Sequence, residues 1–297
     1  LSLCHNCEVG RSQPGNAKTT CTDCATGRYN GLPKRATCFA CAAGKAVNTT
    51  GNTACPECVK GTSQPGTGEE ACLQCATGKY APATNAKDCL LCNSGTFANV
   101  TGLSGCMDCA KGRYQSANSK SSCINCAIGT FGNAFGLPVC ELCAAGRATN
   151  TTGNTECPVC VQGRFQASVG KGLCKDCAVG ESTPSTEALG CTDCIPGRFA
   201  NVTGSKGCLE CDARTFQDQP GKTGCDLCPA GKHGGVKALE VCFDCAKGTA
   251  TPNNGSLTCT CVDCVAGTSQ GATGQPTCPS CTEGTYTSGR YRGGSWH

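Results

Sequence analysis

Bulky apolar side chains are scarce along this chain, and they return on one beat. Tyr29, Tyr80, Phe97, Tyr114, Phe131, Phe165, Phe199, Phe216 and Tyr286 share one position of a seventeen-residue cycle. Polar stretches rich in Gly, Pro, Asn, Ser and Thr separate them. No window carries the period of an amphipathic helix, and the Gly, Pro and Asn density breaks any helix that starts. The pattern predicts short extended segments joined by turns. One ring per repeat, packed on a bridge or on adjacent backbone, is the expected apolar plug.

Cysteines set the cycle. C-x-x-C pairs begin at Cys4 and recur every seventeen residues as far as Cys242. After Cys245 the register slips by two around "CTCVDC", and pairs follow at Cys261/Cys264 and Cys278/Cys281. Each of the seventeen repeats reads C-x-x-C-x-x-G-[RKT]-[aromatic or small]. The glycine is replaced once, by Arg214. A position so often lacking a side chain needs a positive φ or a close backbone approach. Repeats of this kind touch mainly their neighbours. The expected fold is a small disulfide-rich repeat, an elongated solenoid-like rod of seventeen loop and short-strand units with little regular secondary structure. Three segments follow: 1–258 in strict register, 259–281 after the slip, and the end segment 282–297.

Thirty-five cysteines in 297 residues is about 12%, a disulfide-scaffold density. Bridges at that density persist in an oxidising compartment, so the protein is expected to be extracellular or on a cell surface. One Met, one Trp, eight Phe and five Tyr offer too little bulk for one large core. The net charge of +4 is spread along the chain, which argues against a nucleic-acid footprint. No apolar run is long enough to cross a membrane, and "LSLCHNC" carries no leader. The chain reads as a mature product or a piece of something longer.

Sequence alone leaves connectivity open, and uniform repetition narrows it. A bridge inside C-x-x-C marks redox chemistry, which seventeen consecutive motifs do not fit. Zinc is the chemical rival, because spaced C-x-x-C pairs resemble ribbon ligands; three scattered histidines and neutral loops speak against it. The simplest ladder joins the second cysteine of one repeat to the first of the next. It pairs Cys7–Cys21, Cys24–Cys38, Cys41–Cys55, Cys58–Cys72, Cys75–Cys89, Cys92–Cys106, Cys109–Cys123 and Cys126–Cys140. It continues through Cys143–Cys157, Cys160–Cys174, Cys177–Cys191, Cys194–Cys208, Cys211–Cys225, Cys228–Cys242, Cys245–Cys259 and Cys264–Cys278. Loop length and Gly255 favour Cys259 as partner of Cys245, whereas the asparagine register described below favours Cys261. Cys4, Cys261 and Cys281 are left open, for an interchain bridge or for none. Each loop of about 15 residues stabilises by roughly 3 kcal/mol in the chain-entropy model, so bridging replaces the missing core.

At this point a resemblance enters. "CATGRYNGLPKRATCFAC" resembles the ephrin-receptor-like cysteine-rich repeat and the first loop module of tumour-necrosis-factor receptors. Related tandem arrays occur in surface and mastigoneme-type fibre proteins of protists and algae. In the receptor family the module's two cysteines pair with each other, which supports the ladder. The chain lacks those receptors' interlocked two-bridge modules.

Asn-x-Ser/Thr acceptors stand at Asn48, Asn99, Asn150, Asn201 and Asn254, spaced 51, 51, 51 and 53. The last interval is read as carrying the same slip as the cysteines. "CAAGKAVNTTGNTACPEC" from Cys41 returns as "CAAGRATNTTGNTECPVC" from Cys143, which points to duplication of a six-repeat block. N-linked glycans on every third repeat are expected, and no other cofactor. His5, His233 and His297 lie far apart and no paired carboxylates or nucleophile elbow appears, so no catalytic role is expected. The expected function is a structural extracellular glycoprotein, a rod-like subunit of a fibre, surface coat or appendage. Its partners would be further copies of itself or other extracellular proteins, not nucleic acid. The alternative is a receptor or adhesion-protein ectodomain stalk with a binding patch in loops such as "QPGTGEEA" and "STPSTEALG".

Overall fold

The third residue after the second cysteine fixes the local path of each repeat. In the second repeat the N–H of Arg28 donates to the carbonyl of Ala25 at 3.1 Å, with Gly27 between them at φ +70°. A turn of that form needs a positive φ at its third residue. The chain then runs out as Arg28–Tyr29 and returns as Phe39–Ala40, antiparallel, with Tyr29 opposite Phe39. The computed structural model describes residues 4–257, 262–263 and 265–286. Among them thirteen such two-stranded ladders form, each strand two residues long, and no helix does. At Lys45↔Glu57, Arg147↔Val159 and Thr268↔Ser280 the ladder shrinks to a single bridge. In each of these three, proline (Pro56, Pro158, Pro279) follows the first cysteine and has no N–H to give the ladder.

The chain forms two compact bodies, Leu1–Leu142 with Thr151–Glu156, and Cys143–Asn150 with Cys157–His297. Both are built alike. In the first, Gly27 donates to Val47 O at 2.8 Å, Asn30 to Asn52 O at 3.0 Å, and Gly51 back to Cys24 O at 2.8 Å. In the second, Gly163 donates to Thr183 O at 2.9 Å, Gln166 to Ala188 O at 3.0 Å, and Glu187 back to Cys160 O at 2.9 Å. Three backbone bonds therefore stitch each of these repeats to the next, and most of the others likewise. Beyond these neighbour contacts, one close approach reaches a repeat farther. A Cβ on Gly61 would stand 2.0 Å from the carbonyl oxygen of Gly102, two repeats on, and one on Gly163 equally close to Gly204. The signature glycine is thus required twice, by its φ and by that approach.

A second left-handed position lies seven residues beyond the signature glycine. Gly51, Gly68 and Gly102 occupy it at φ +71° to +77°, and Ala17, Lys34, Asn85, Ser119, Glu187 and Ala238 hold it without being glycine. Arg214 takes φ +82° at the signature position and keeps its bonds, accepting from Cys228 N and donating to Gly234 O.

Sulfur fills the interior. Cys41, Cys92, Cys109, Cys126, Cys143 and Cys177 are wholly buried. The aromatic rings are half-buried around them: Tyr29 packs on Cys41, Val47 and Cys55. The expected ring plug is therefore a cover over a sulfur core, and Tyr286, at 86% exposure, covers nothing. Where the ring is absent, Ser63 and Ser182 are buried with their hydroxyls 3.2 and 3.1 Å from Cys89 and Cys208 sulfur. Cross-strand ion pairs such as Arg11–Asp23, Arg198–Glu210 and Lys232–Asp244 are half-exposed, and each is worth about 0–1 kcal/mol.

The slip is localised by bonds on both sides of it. Gly255 N–H still reaches Cys228 O at 2.7 Å, as Gly204 reaches Cys177. The next ladder pairs Thr249 with Asp263 and Ala250 with Val262, two residues longer than Thr215 with Leu227. The two extra residues therefore enter between Gly255 and Val262.

Candidate functional sites: bridges, clamps and asparagine loops

Fourteen disulfides are present from Cys7–Cys21 to Cys228–Cys242, each spanning 14 residues with Cα atoms 5.6–5.8 Å apart. Each joins the second cysteine of a repeat to the first of the next, directly behind the hairpin that the signature glycine opens. Cys245 and Cys278 are also disulfide-bonded. The residues assigned to them from sequence, Cys259 and Cys264, and the alternative Cys261, lie outside the described residues. Cys4 is free and exposed, and Cys281 is half-buried. A bridged sulfur cannot serve as a thiolate ligand. Among the described residues no group of three or more His, Cys, Asp or Glu is placed to hold a metal ion.

Titratable groups are spread over surface hairpins. Arg164 donates to Asp176, and that hydrogen bond holds the carboxyl below its usual range and raises the guanidinium. Both side chains are about half exposed, so the pair is a surface cross-strand contact with no buried proton to move. His233 sits at the ring position and stacks on Phe243 at 5.9 Å. A hollow of about 360 Å³ beside Gln217, Asp218, Lys222 and Asp226 is open and polar.

The sequence reading missed a clamp. Gln13, Gln64, Gln115, Gln166 and Gln217 recur every 51 residues, and Gln270 follows after the two-residue slip. The amide of Gln64 donates to Ala71 O at 2.7 Å and accepts from Gly66 N–H at 2.9 Å. Gln115, Gln166, Gln217 and Gln270 make the same two bonds across their loops. Gln64, Gln115, Gln166 and Gln217 are buried. The signal was available, since glutamine returns at the tenth position of every third repeat.

The asparagines occupy two addresses rather than one. Asn48, Asn99, Asn150 and Asn201 stand three residues before a left-handed glycine, Gly51, Gly102, Gly153 and Gly204. All four are exposed. Asn254 stands one residue before Gly255, two places later in the loop. Its carboxamide oxygen accepts from Ala230 N–H at 2.8 Å, as Asn118 accepts from Ser94. The 53-residue interval is therefore not the cysteine slip, which lies beyond Gly255, and the fifth asparagine is out of register with the other four.

Among known proteins, no curated sequence matches the chain. The family model for "Tyrosine-protein kinase ephrin type A/B receptor-like" sequences matches residues 95–133 and 197–238, segments that begin 102 residues apart and lie one in each body. The first carries Gly95, Phe97, Cys106, Cys109, Gly112 and Tyr114; the second repeats that series with Arg214 in place of glycine and Phe216 in place of tyrosine. With the bridge at every seventeenth residue and the hairpin beside it, the chain is an array of tandem disulfide-bonded cysteine-rich repeats, similar over those two segments to the ephrin-receptor-like kind.

Proposed function

We propose that this chain is a structural extracellular protein, a subunit of a fibre, surface coat or appendage that associates with copies of itself or with other extracellular proteins. The supporting observation is the stitching: from Cys7 to Cys242 a disulfide and two or three backbone hydrogen bonds tie a repeat to the next, with sulfur as the buried material. Such bridging belongs to an oxidising compartment. Nothing in the described hairpins gathers acid, base and nucleophile at one point. Covalent linkage from repeat to repeat suits load transmission, and a recurring hairpin frame gives recurring surfaces for assembly.

The experiment is sedimentation velocity of the secreted, oxidised chain over a concentration series, with negative-stain electron microscopy of the same samples. Assemblies that grow with concentration are expected. Monomers at every concentration, together with saturable binding to a cell surface, would replace this reading by the ectodomain stalk. That second reading has one observation in its favour, the receptor-like family match at 95–133 and 197–238.

A further inference from the structure

Four loops present an asparagine in the same way. The residue before it is buried (Val47, Ala98, Thr149 and Ala200). Three of these are tied by their N–H groups to Glu69, Lys120 and Lys222 carbonyls at 3.1–3.3 Å. Three residues after the asparagine, Gly51, Gly102, Gly153 and Gly204 donate to Cys24, Cys75, Cys126 and Cys177 carbonyls at 2.8–2.9 Å. The loop between these anchors carries an exposed carboxamide that makes no hydrogen bond among the described residues, and an exposed threonine two places on: Thr50, Thr101, Thr152 or Thr203. Only Thr101 has a partner, Gln74 at 2.9 Å. No asparagine outside the five acceptors is followed two residues later by Ser or Thr. The clamp repeats, in contrast, turn their loop amides inward onto glutamine.

We propose that Asn48, Asn99, Asn150 and Asn201 are acceptors of N-linked oligosaccharide and that Asn254 is not, an inference that rests on the extracellular reading above. The carboxamide nitrogen bonds to the anomeric carbon of a sugar carried on a lipid pyrophosphate. The carbon–oxygen bond to phosphate breaks, the pyrophosphate leaves with its electron pair, and the nitrogen gives up one proton to the transferase. Recognition of the acceptor uses both the amide and the hydroxyl two residues on. At Asn254 both are engaged. Its oxygen holds Ala230 N–H, and half-buried Ser256 bonds Thr251 at 2.6 Å while its carbonyl accepts from Gly234. Hydrogen bonds such as Thr26 to Glu70 reach two repeats on, a span of 44 residues, so a repeat can close soon after the next two emerge. Asn254 is exposed as well, so the difference lies in bonding: a carboxamide left unbonded after closure keeps a longer window for transfer.

The full chain is secreted from eukaryotic cells, reduced, alkylated and digested. Peptide N-glycosidase in heavy-oxygen water then converts each glycan-bearing Asn to labelled Asp, read by mass spectrometry. Label at all four positions and little at Asn254 is expected. Thr50→Ala and Thr203→Ala should each remove one glycan from the intact mass without changing the bridge count. Three or fewer labelled positions, or Asn254 labelled as fully as the others, overturns the inference. Secreted, fully bridged protein without label would do so while leaving the array reading intact. Retained protein with free thiols would remove the array reading and this inference with it.

Discussion

Replacing Gly61 with alanine perturbs two requirements at once. Gly61 lies at φ +84°, where an L side chain costs roughly 1–2 kcal/mol. Its new Cβ would stand 2.0 Å from the Gly102 carbonyl oxygen and 2.7 Å from that carbonyl carbon. Both are backbone atoms, held in place because Gly102 N–H bonds Cys75 O at 2.8 Å. Relief requires a shift of about 1 Å in a stitched loop, and overpacking of this kind costs typically 1–3 kcal/mol. The sum is about 3 kcal/mol, roughly a hundredfold in an opening equilibrium. Repeat arrays open locally, so a global melt would blur the effect. Native-state hydrogen exchange at Cys75 and Gly102 resolves it: protection should fall about a hundredfold. Two further substitutions separate the causes. At Gly267 the φ is positive too, but an added Cβ would have no backbone atom among the described residues pressed against it, so Gly267→Ala should lose only about 1–2 kcal/mol. Gly105→Ala, with ordinary φ and open space, should stay within about 0.5 kcal/mol. If Gly61→Ala behaved like Gly105→Ala, the two-repeat contact would play no part in stability.

The glutamine clamp, the natural outlier and the depressed Asp176 carboxylate give three further outcomes. Gln115→Ala removes the bonds to Ser122 O and from Ala117 N–H, about 2 kcal/mol at two partners, visible as faster exchange at Ala117; Gln115→Glu keeps the acceptor and should recover roughly half. Arg214→Gly should gain about 1 kcal/mol by removing a side chain from φ +82°, slowing exchange at Cys228. Arg164→Gln should move the Asp176 carboxyl upward into its ordinary range in an NMR titration, because the lost hydrogen bond is what depresses it. Since the folded carboxyl titrates below its unfolded range, the pair helps above that range and is lost as pH falls through the folded value, so variant and parent should converge in acid.

The cysteine spacing carried most of what could be foreseen, because a bridge closing a fixed 14-residue loop leaves its period in the chain. The signature glycine announced a backbone constraint, yet the approach of Gly102 to Gly61 was illegible: its partner is 41 residues away and glycine advertises no partner. The left-handed position seven residues on escaped notice because Ala17, Lys34, Ser119 and Glu187 hold it too. Gln64 and Gln115 looked like ordinary polar loop residues, since composition does not tell a solvated amide from one bonded twice inside its own loop. Asn254 misled for another reason. Counting residues between asparagines treated the loop as uniform, whereas Gly255 and its bond to Cys228 mark where the frame lies.

The sulfur interior has a calorimetric consequence. Heat-capacity increments on unfolding come mainly from apolar surface newly wetted, usually about 12–15 cal/mol/K per residue. Here Leu73, Leu90 and Ile124 are already about half wetted when folded, and the deepest side chains are disulfides. Melting with the bridges intact should therefore show an increment well below that range. A flat stability curve follows, one that chilling and freezing would scarcely lower.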